Sequence, residues 1–151
     1  MNVVLVEPEI PQNTGNIGRL CVATNSTLHL VEPLGFRITD SQLKRAGMDY
    51  WEHLDVRYWK NLDQLTSAAP AEARLFFVTT KSKRPYTAPQ YHEEDYLVFG
   101  RETAGLPAAL LQANRDHCIT IPMWNEHARS LNLATAVAIV LYEALRQTRR
   151  F

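Results

Sequence analysis

Three polar, glycine-bearing clusters hold the residues of this chain best suited to chemistry. They are PEIPQNTGNIGR (Pro8–Arg19), GRETAGLP (Gly100–Pro107) and IPMWNEHARSLN (Ile121–Asn132), and each follows a short apolar run. In the first, Pro8 and Pro11 impose an extended path, and Asn13, Thr14 and Asn16 offer side chains for capping a helix. Arg19, six residues after Asn13, carries a charge that does not titrate in the physiological range. It either projects back toward the loop as a fixed cation or makes a surface ion pair. In the second cluster the glycines allow close approach of backbone to a ligand, and Glu102 is either a carboxylate poised to hold a hydroxyl or amino group or a solvated turn acid. In the third, Ser130 reads first as a helix N-cap and only then as a catalytic hydroxyl, and Asn132 is open to both readings.

Other reaction classes are set aside by their missing signatures. The chain has no G-x-x-x-x-G-K-[ST], H-E-x-x-H, C-x-x-C or G-x-S-x-G. His29, His53, His92, His117 and His127 show no ligand spacing, so no metal site is expected. Gly15-x-x-Gly18 only loosely matches a dinucleotide turn, because the tight Gly-x-Gly is missing.

The elements that must position these clusters follow from the pattern of apolar residues. Near-continuous apolar runs at Asn2–Val6, Thr27–Val31, Leu75–Val78, Tyr96–Phe99 and Cys118–Ile121, with a weaker one at Asp55–Trp59, predict strands covered on both faces. Helical patterns fall between them, at Asn16–Thr24, around Asp40–Glu52, at Leu62–Ala69, Pro107–Ala113 and Ser130–Gln147. The alternation predicts an α/β fold with a mostly parallel sheet flanked by helices, and in such sheets ligands collect at the carboxyl ends of the strands. The last helix has an unusually wide apolar arc. Leu133, Val137, Val140 and Ala144 form one stripe, with Ala134, Ala138, Leu141 and Leu145 beside it. Either it lies deep in the monomer or it also meets a second chain.

With 151 residues, 46% of them hydrophobic, the chain suits one domain spanning 1–151 with a sizeable core. Sixteen Lys+Arg balance sixteen Asp+Glu, so overall charge does not mark a nucleic-acid binder. Local distribution does leave basic patches, since Arg74, Lys81, Lys83 and Arg84 lie in a stretch from Ala73 to His92 that has no acid. Cys21 and Cys118 read as free thiols of a reducing cytoplasm, and neither a signal peptide nor a membrane span is expected.

Taken together, PEIPQNTGNIGRLC (Pro8–Cys21), FGRETAGLP (Phe99–Pro107) and IPMWNEHARSLNLATAVAIVLYEALRQ (Ile121–Gln147) resemble the three motifs of the SPOUT class of S-adenosylmethionine-dependent RNA methyltransferases. Within it the chain resembles the tRNA (cytidine(34)-2′-O)-methyltransferases, and EPLGF (Glu32–Phe36) and RAGMDYWEH (Arg45–His53) extend the likeness. The sequence departs from the usual pattern at Gly18, where a bulkier apolar residue is common, at Ala134, where Ser is frequent, and at Trp124–Ala128.

The resemblance implies a SPOUT fold with a deep C-terminal trefoil knot, and a homodimer whose active sites borrow residues across a twofold axis. It implies S-adenosylmethionine bound by Val78, Thr79, Gly100, Gly105, Ile121, Pro122, Met123 and Ser130, without a metal. It implies methylation of the ribose 2′-hydroxyl of the wobble nucleotide, cytidine 34 or a modified uridine 34, in the anticodon stem-loop of leucine tRNAs. Arg19, Asn13, Ser130, Asn132 and Glu102 are then the catalytic candidates, with Arg19 stabilising the developing alkoxide or pinning the adjacent phosphate. Lys81, Lys83 and Arg84, together with Arg37, Lys44 and Arg45, are candidates for RNA phosphates, and Tyr50, Tyr86 or Trp124 for stacking an unpaired base. Competing readings are action on another RNA site, a non-catalytic knotted RNA-binding module, and a nucleotide-binding α/β enzyme using the Gly15–Gly18 turn.

Overall fold

A computed structural model describes residues 1–39 and 49–151. In chain order the elements are β1 (Asn2–Val6), α1 (Pro11–Ala23), β2 (Thr27–Val31), a short 3-10 helix (Asp49–His53), β3 (Val56–Trp59), α2 (Leu62–Ala68), β4 (Leu75–Val78), β5 (Tyr96–Phe99), α3 (Ala108–Ala113), a second 3-10 helix (Arg115–His117), β6 (Cys118–Ile119) and α4 (Leu133–Arg149). The sheet runs β3-β2-β1-β5-β4-β6, and every pairing is parallel. β1 and β5 are buried along their whole length, as their unbroken apolar runs require. Alternate residues serve opposite layers. Val3, Leu5, Leu97 and Phe99 pack with Ile17 of α1 and Val137, Leu141 and Ala144 of α4. Val4, Val6 and Val98 pack on the other side with Leu65 of α2 and Leu111 of α3. No helix among the described residues is long and apolar enough to cross a membrane.

Several boundaries differ from those expected. Helix α1 begins at Pro11 rather than Asn16, because a proline at the first helical position gives up only an N–H that has no intrahelical partner. Asn13 and Thr14 therefore sit inside the first turn and do not precede it. The long helix starts at Leu133 rather than Ser130, and its N-cap is Asn132, whose Oδ1 accepts from the amides of Ala134 (2.9 Å) and Thr135 (3.3 Å). β6 ends at Ile119, although Thr120 still bridges Pro85. Of the helix expected around Asp40–Glu52, Asp49–His53 forms a 3-10 helix and residues 40–48 lie outside the described residues. The apolar arc of α4 is covered unevenly. Val137, Val140, Leu141, Ala144 and Leu145 are buried, whereas Ala134 and Ala138 are half-buried.

The sheet edge near β3 carries a buried polar cluster. The Trp59 indole N–H donates to His29 Nδ1 at 3.0 Å, and His29 Nε2 lies 3.1 Å from Asn2 Oδ1. A ring nitrogen that accepts a hydrogen bond cannot also carry a proton, so this geometry holds the imidazole neutral. Burial, reinforced by the nearby Arg57 and opposed by Asp55, lowers its pKa to about 4. Cys21 and Cys118 are both buried and free.

Candidate functional site

The chain builds outward from β1 toward β2 and β3 on one side and occupies β5, β4 and β6 on the other, so the order reverses between β1 and β5. Loops leaving neighbouring strands at such a reversal diverge and open a crevice at the carboxyl ends. Here the loop after β1 and the loop after β5 meet through a carboxylate. Glu102 Oε2 accepts from the Glu9 amide (2.8 Å), and Oε1 accepts from the Ile10 amide (3.0 Å) and from Asn13 Nδ2 (3.3 Å). Helix α1 has no side-chain cap of its own at Ile10, so Glu102 supplies negative charge to its N-terminus from another loop. Reciprocally, Glu9 accepts from the Thr103 amide (3.0 Å) and hydroxyl (2.9 Å), and Arg101 pairs with Glu7.

The loop after β5 folds back sharply. Arg101 and Gly105 exchange backbone hydrogen bonds, Gly105 adopts a φ of +65°, and a Cβ at Gly100 would stand 2.1 Å from the Gly105 carbonyl carbon. Only glycine fits position 100 without reshaping the loop. The third cluster is tied in by Asn132. While its Oδ1 caps α4, its Nδ2 donates to Asn13 Oδ1 at 3.0 Å. Asn132, Asn13 and Glu102 thus form one hydrogen-bonded chain across all three clusters.

This chain of side chains borders a cleft of about 280 Å³. Its walls include Val78, Thr79, Phe99, Gly100, Gly105, Leu106, Leu111, Ile121, Met123, Ser130 and Leu133. Seven of the expected donor-binding residues, Val78, Thr79, Gly100, Gly105, Ile121, Met123 and Ser130, therefore line one space, whereas Pro122 is exposed and does not line it. Of the catalytic candidates, Glu102 and Ser130 line the cleft, and Asn13 and Asn132 join it through hydrogen bonds. Ser130, expected first as a cap, is released from that task by Asn132 and faces the cleft.

Arg19 is placed differently. Because α1 starts at Pro11, Arg19 lies two turns into the helix rather than one, and it is not among the residues lining this cleft. Its guanidinium sits over the Tyr50 ring, 5.1 Å from the centroid, and the Tyr50 hydroxyl donates to the Gly15 carbonyl. Burial raises the Tyr50 pKa, against the opposing charge of Arg19. Gly18 makes room for this arrangement, since a Cβ there would lie 2.9 Å from the Trp51 ring. The sequence reading missed the other cleft cations, Arg101 and Arg129, although their positions beside Gly100 and Ser130 were the available signal.

The basic stretch lies alongside. Lys81 lines the cleft and also a neighbouring recess, which it shares with Lys83, Gln112 and Arg115. Arg84 donates to the Asp116 carbonyl at 2.6 Å and is otherwise exposed. Arg37 is exposed, and Lys44 and Arg45 lie outside the described residues. Of the candidate stacking rings, Tyr50 is committed to Arg19 and Gly15. Tyr86 is half-buried, with its amide bonded to the Thr120 carbonyl and its own carbonyl to the Tyr91 hydroxyl. Trp124 is 94% exposed. No group of His, Cys, Asp and Glu suited to a metal ion occurs among the described residues.

The SpoU rRNA Methylase family profile matches residues 1–142. A tRNA (cytidine(34)-2′-O)-methyltransferase of Escherichia coli (strain K12) is 47% identical over 148 residues, spanning 97% of this chain and 93% of its own. A solved structure described as giving insight into 2-OH methylation of C/U34 on tRNA superposes with a TM-score of 0.90 at 43% identity, over 97% of this chain and 94% of that one. The SpoU methyltransferase AviRb from Streptomyces viridochromogenes, in complex with the cofactor AdoMet, superposes at 0.83 with 25% identity, over 97% of this chain and 57% of its own.

Proposed function

The chain belongs to the SpoU rRNA methylase family, and from that premise we propose that its cleft binds S-adenosylmethionine and passes the methyl group to the ribose 2′-hydroxyl of nucleotide 34 of a tRNA. The observation that carries this reading is the convergence of the loops after β4, β5 and β6 on one cleft, with the loop after β1 tied to its border through Asn13, Glu102 and Asn132.

The residues present suit the donor. An apolar floor of Val78, Phe99, Leu106 and Ile121 suits an adenine face, the Gly105 backbone has open space beside it, and Thr79 and Ser130 offer hydroxyls. When bound, S-adenosylmethionine supplies a methyl group on a sulfonium centre, an electrophile strong enough that the protein's task is chiefly alignment. In this assignment Ser130 fixes the donor side of the cleft, and Glu102 and Asn13 hold the loops at the right separation. Arg129 and Lys81 supply the positive field toward which an RNA phosphate is drawn.

Arg19 stabilises charge on the ribose oxygen as its proton passes to the adjacent RNA phosphate or to water; a guanidinium, already protonated, does not serve as the base itself. Since Arg19 stands outside the cleft of its own chain, we assign it to the cleft of a second copy in a homodimer. That assembly also gives the half-buried stripe of α4 a partner. The anticodon stem-loop of leucine tRNAs is the substrate we propose, on the strength of the subfamily resemblance.

Mass spectrometry of tRNA nucleosides from cells with and without the gene tests the reading. The expected result is loss of a 2′-O-methylated pyrimidine at position 34 of leucine tRNAs, restored by the wild-type chain. Unchanged nucleosides at that position overturn it.

A further inference from the structure

We propose that Trp124 is the surface on which an unpaired base of the RNA stacks, holding the target ribose at the mouth of the cleft; this rests on the methyltransferase reading above. The indole is 94% exposed, leaving in water a ring that elsewhere contributes about 150–250 Å² of buried surface. Its position is set by its neighbours in the chain. Met123 before it, and Arg129 and Ser130 after it, line the cleft, so the ring stands on the loop that forms one of the cleft's walls.

The loop is also held in shape. Asn125 Oδ1 accepts from the His127 amide at 2.9 Å, and the Asn125 carbonyl accepts from the Ala128 amide at 3.1 Å. A turn pinned in this way presents the indole at little further cost in conformational entropy.

The surroundings favour a nucleic acid over a protein as the occupant. Asn125, Glu126 and His127 are exposed and polar, so the indole does not belong to the continuous apolar patch that a protein interface seats. Exposed Arg129 and Lys81 belong to the same cleft and suit a polyanion. A flat aromatic face beside cations is the arrangement that binds single-stranded RNA, by stacking and by phosphate neutralisation together. Of the other two candidate rings, Tyr50 bonds the Gly15 carbonyl through its hydroxyl and carries the Arg19 guanidinium on its face, and Tyr86 is half-buried against the core. Every base offers a π face, so Trp124 contributes grip and placement without choosing sequence.

The test uses the full chain and a synthetic anticodon stem-loop RNA. Saturating RNA quenches tryptophan fluorescence in the wild type, and Trp124→Phe removes that quench although Trp51 and Trp59 remain. Trp124→Ala raises the KM for RNA roughly five- to a hundredfold, with the Kd for S-adenosylmethionine unchanged, and Trp124→Phe restores most of the loss. An unchanged KM in Trp124→Ala, or an equal quench in Trp124→Phe, overturns the proposal. So does a shift from dimer to monomer in sedimentation of Trp124→Ala, which assigns the ring to a second copy. Absence of methyl transfer by the wild type counts against the enzyme reading alone, because the fluorescence titration needs no turnover.

Discussion

Glu102 shows how a residue's type can be readable while its task is not. Its position at the tip of β5 suggested a carboxylate waiting for a ligand, yet both oxygens are already occupied by the amides of Glu9 and Ile10 and by Asn13. What it does in the fold is tie the loop after β5 to the loop after β1. Arg19 poses the opposite problem, since its charge is unmistakable but it does not line the cleft of its own chain. Arg19→Lys keeps that charge and discards the planar, delocalised fork. Turnover is expected to fall about a hundredfold, as when one preorganised donor to a developing oxyanion is lost, with the donor Kd unchanged. Single-turnover kinetics beside calorimetry would check this, and near-normal turnover would remove Arg19 from the chemistry.

Among the elements, the strands were legible because their signal is local. A short, unbroken apolar run such as Leu97–Phe99 between turn residues suits an inner parallel strand covered on both faces, and the structure places it there. The helix starts were less legible because their caps come from elsewhere. Nothing within a few residues of Ile10 reveals that α1 is completed by Glu102, more than ninety positions away. Ser130 and Asn132 are both good capping residues two positions apart, and the choice between them is tied to Asn13, which only the folded chain brings near. Asn132→Ala removes the cap of α4 and its tie to α1 together. Stability should drop by about 1–2 kcal/mol, with donor affinity reduced as well. Denaturant midpoints and calorimetry on the same preparation would show whether both fall, and loss of stability alone would confine Asn132 to capping.

For the whole molecule, His29 makes stability depend on acid. The unfolded chain takes up a proton on this side chain near pH 6.5, whereas the folded chain resists until about pH 4. Above pH 6.5 both states are neutral and nothing is lost. As the pH falls from 6.5 toward 4, the unfolded state binds more protons and stability declines, by about 3 kcal/mol in total. Urea unfolding across that range should show the slope, and His29→Gln should flatten it. A second global property follows from the Asn13–Asn132 hydrogen bond, whose partners are 119 positions apart in sequence. A nascent chain emerging from the ribosome has β1 and α1 long before it has the asparagine that ties them to α4. On the proposed function, unfinished copies on a polysome lack the walls that Ile121, Met123, Ser130 and Leu133 give the cleft, and the order of synthesis withholds donor binding until that segment is made.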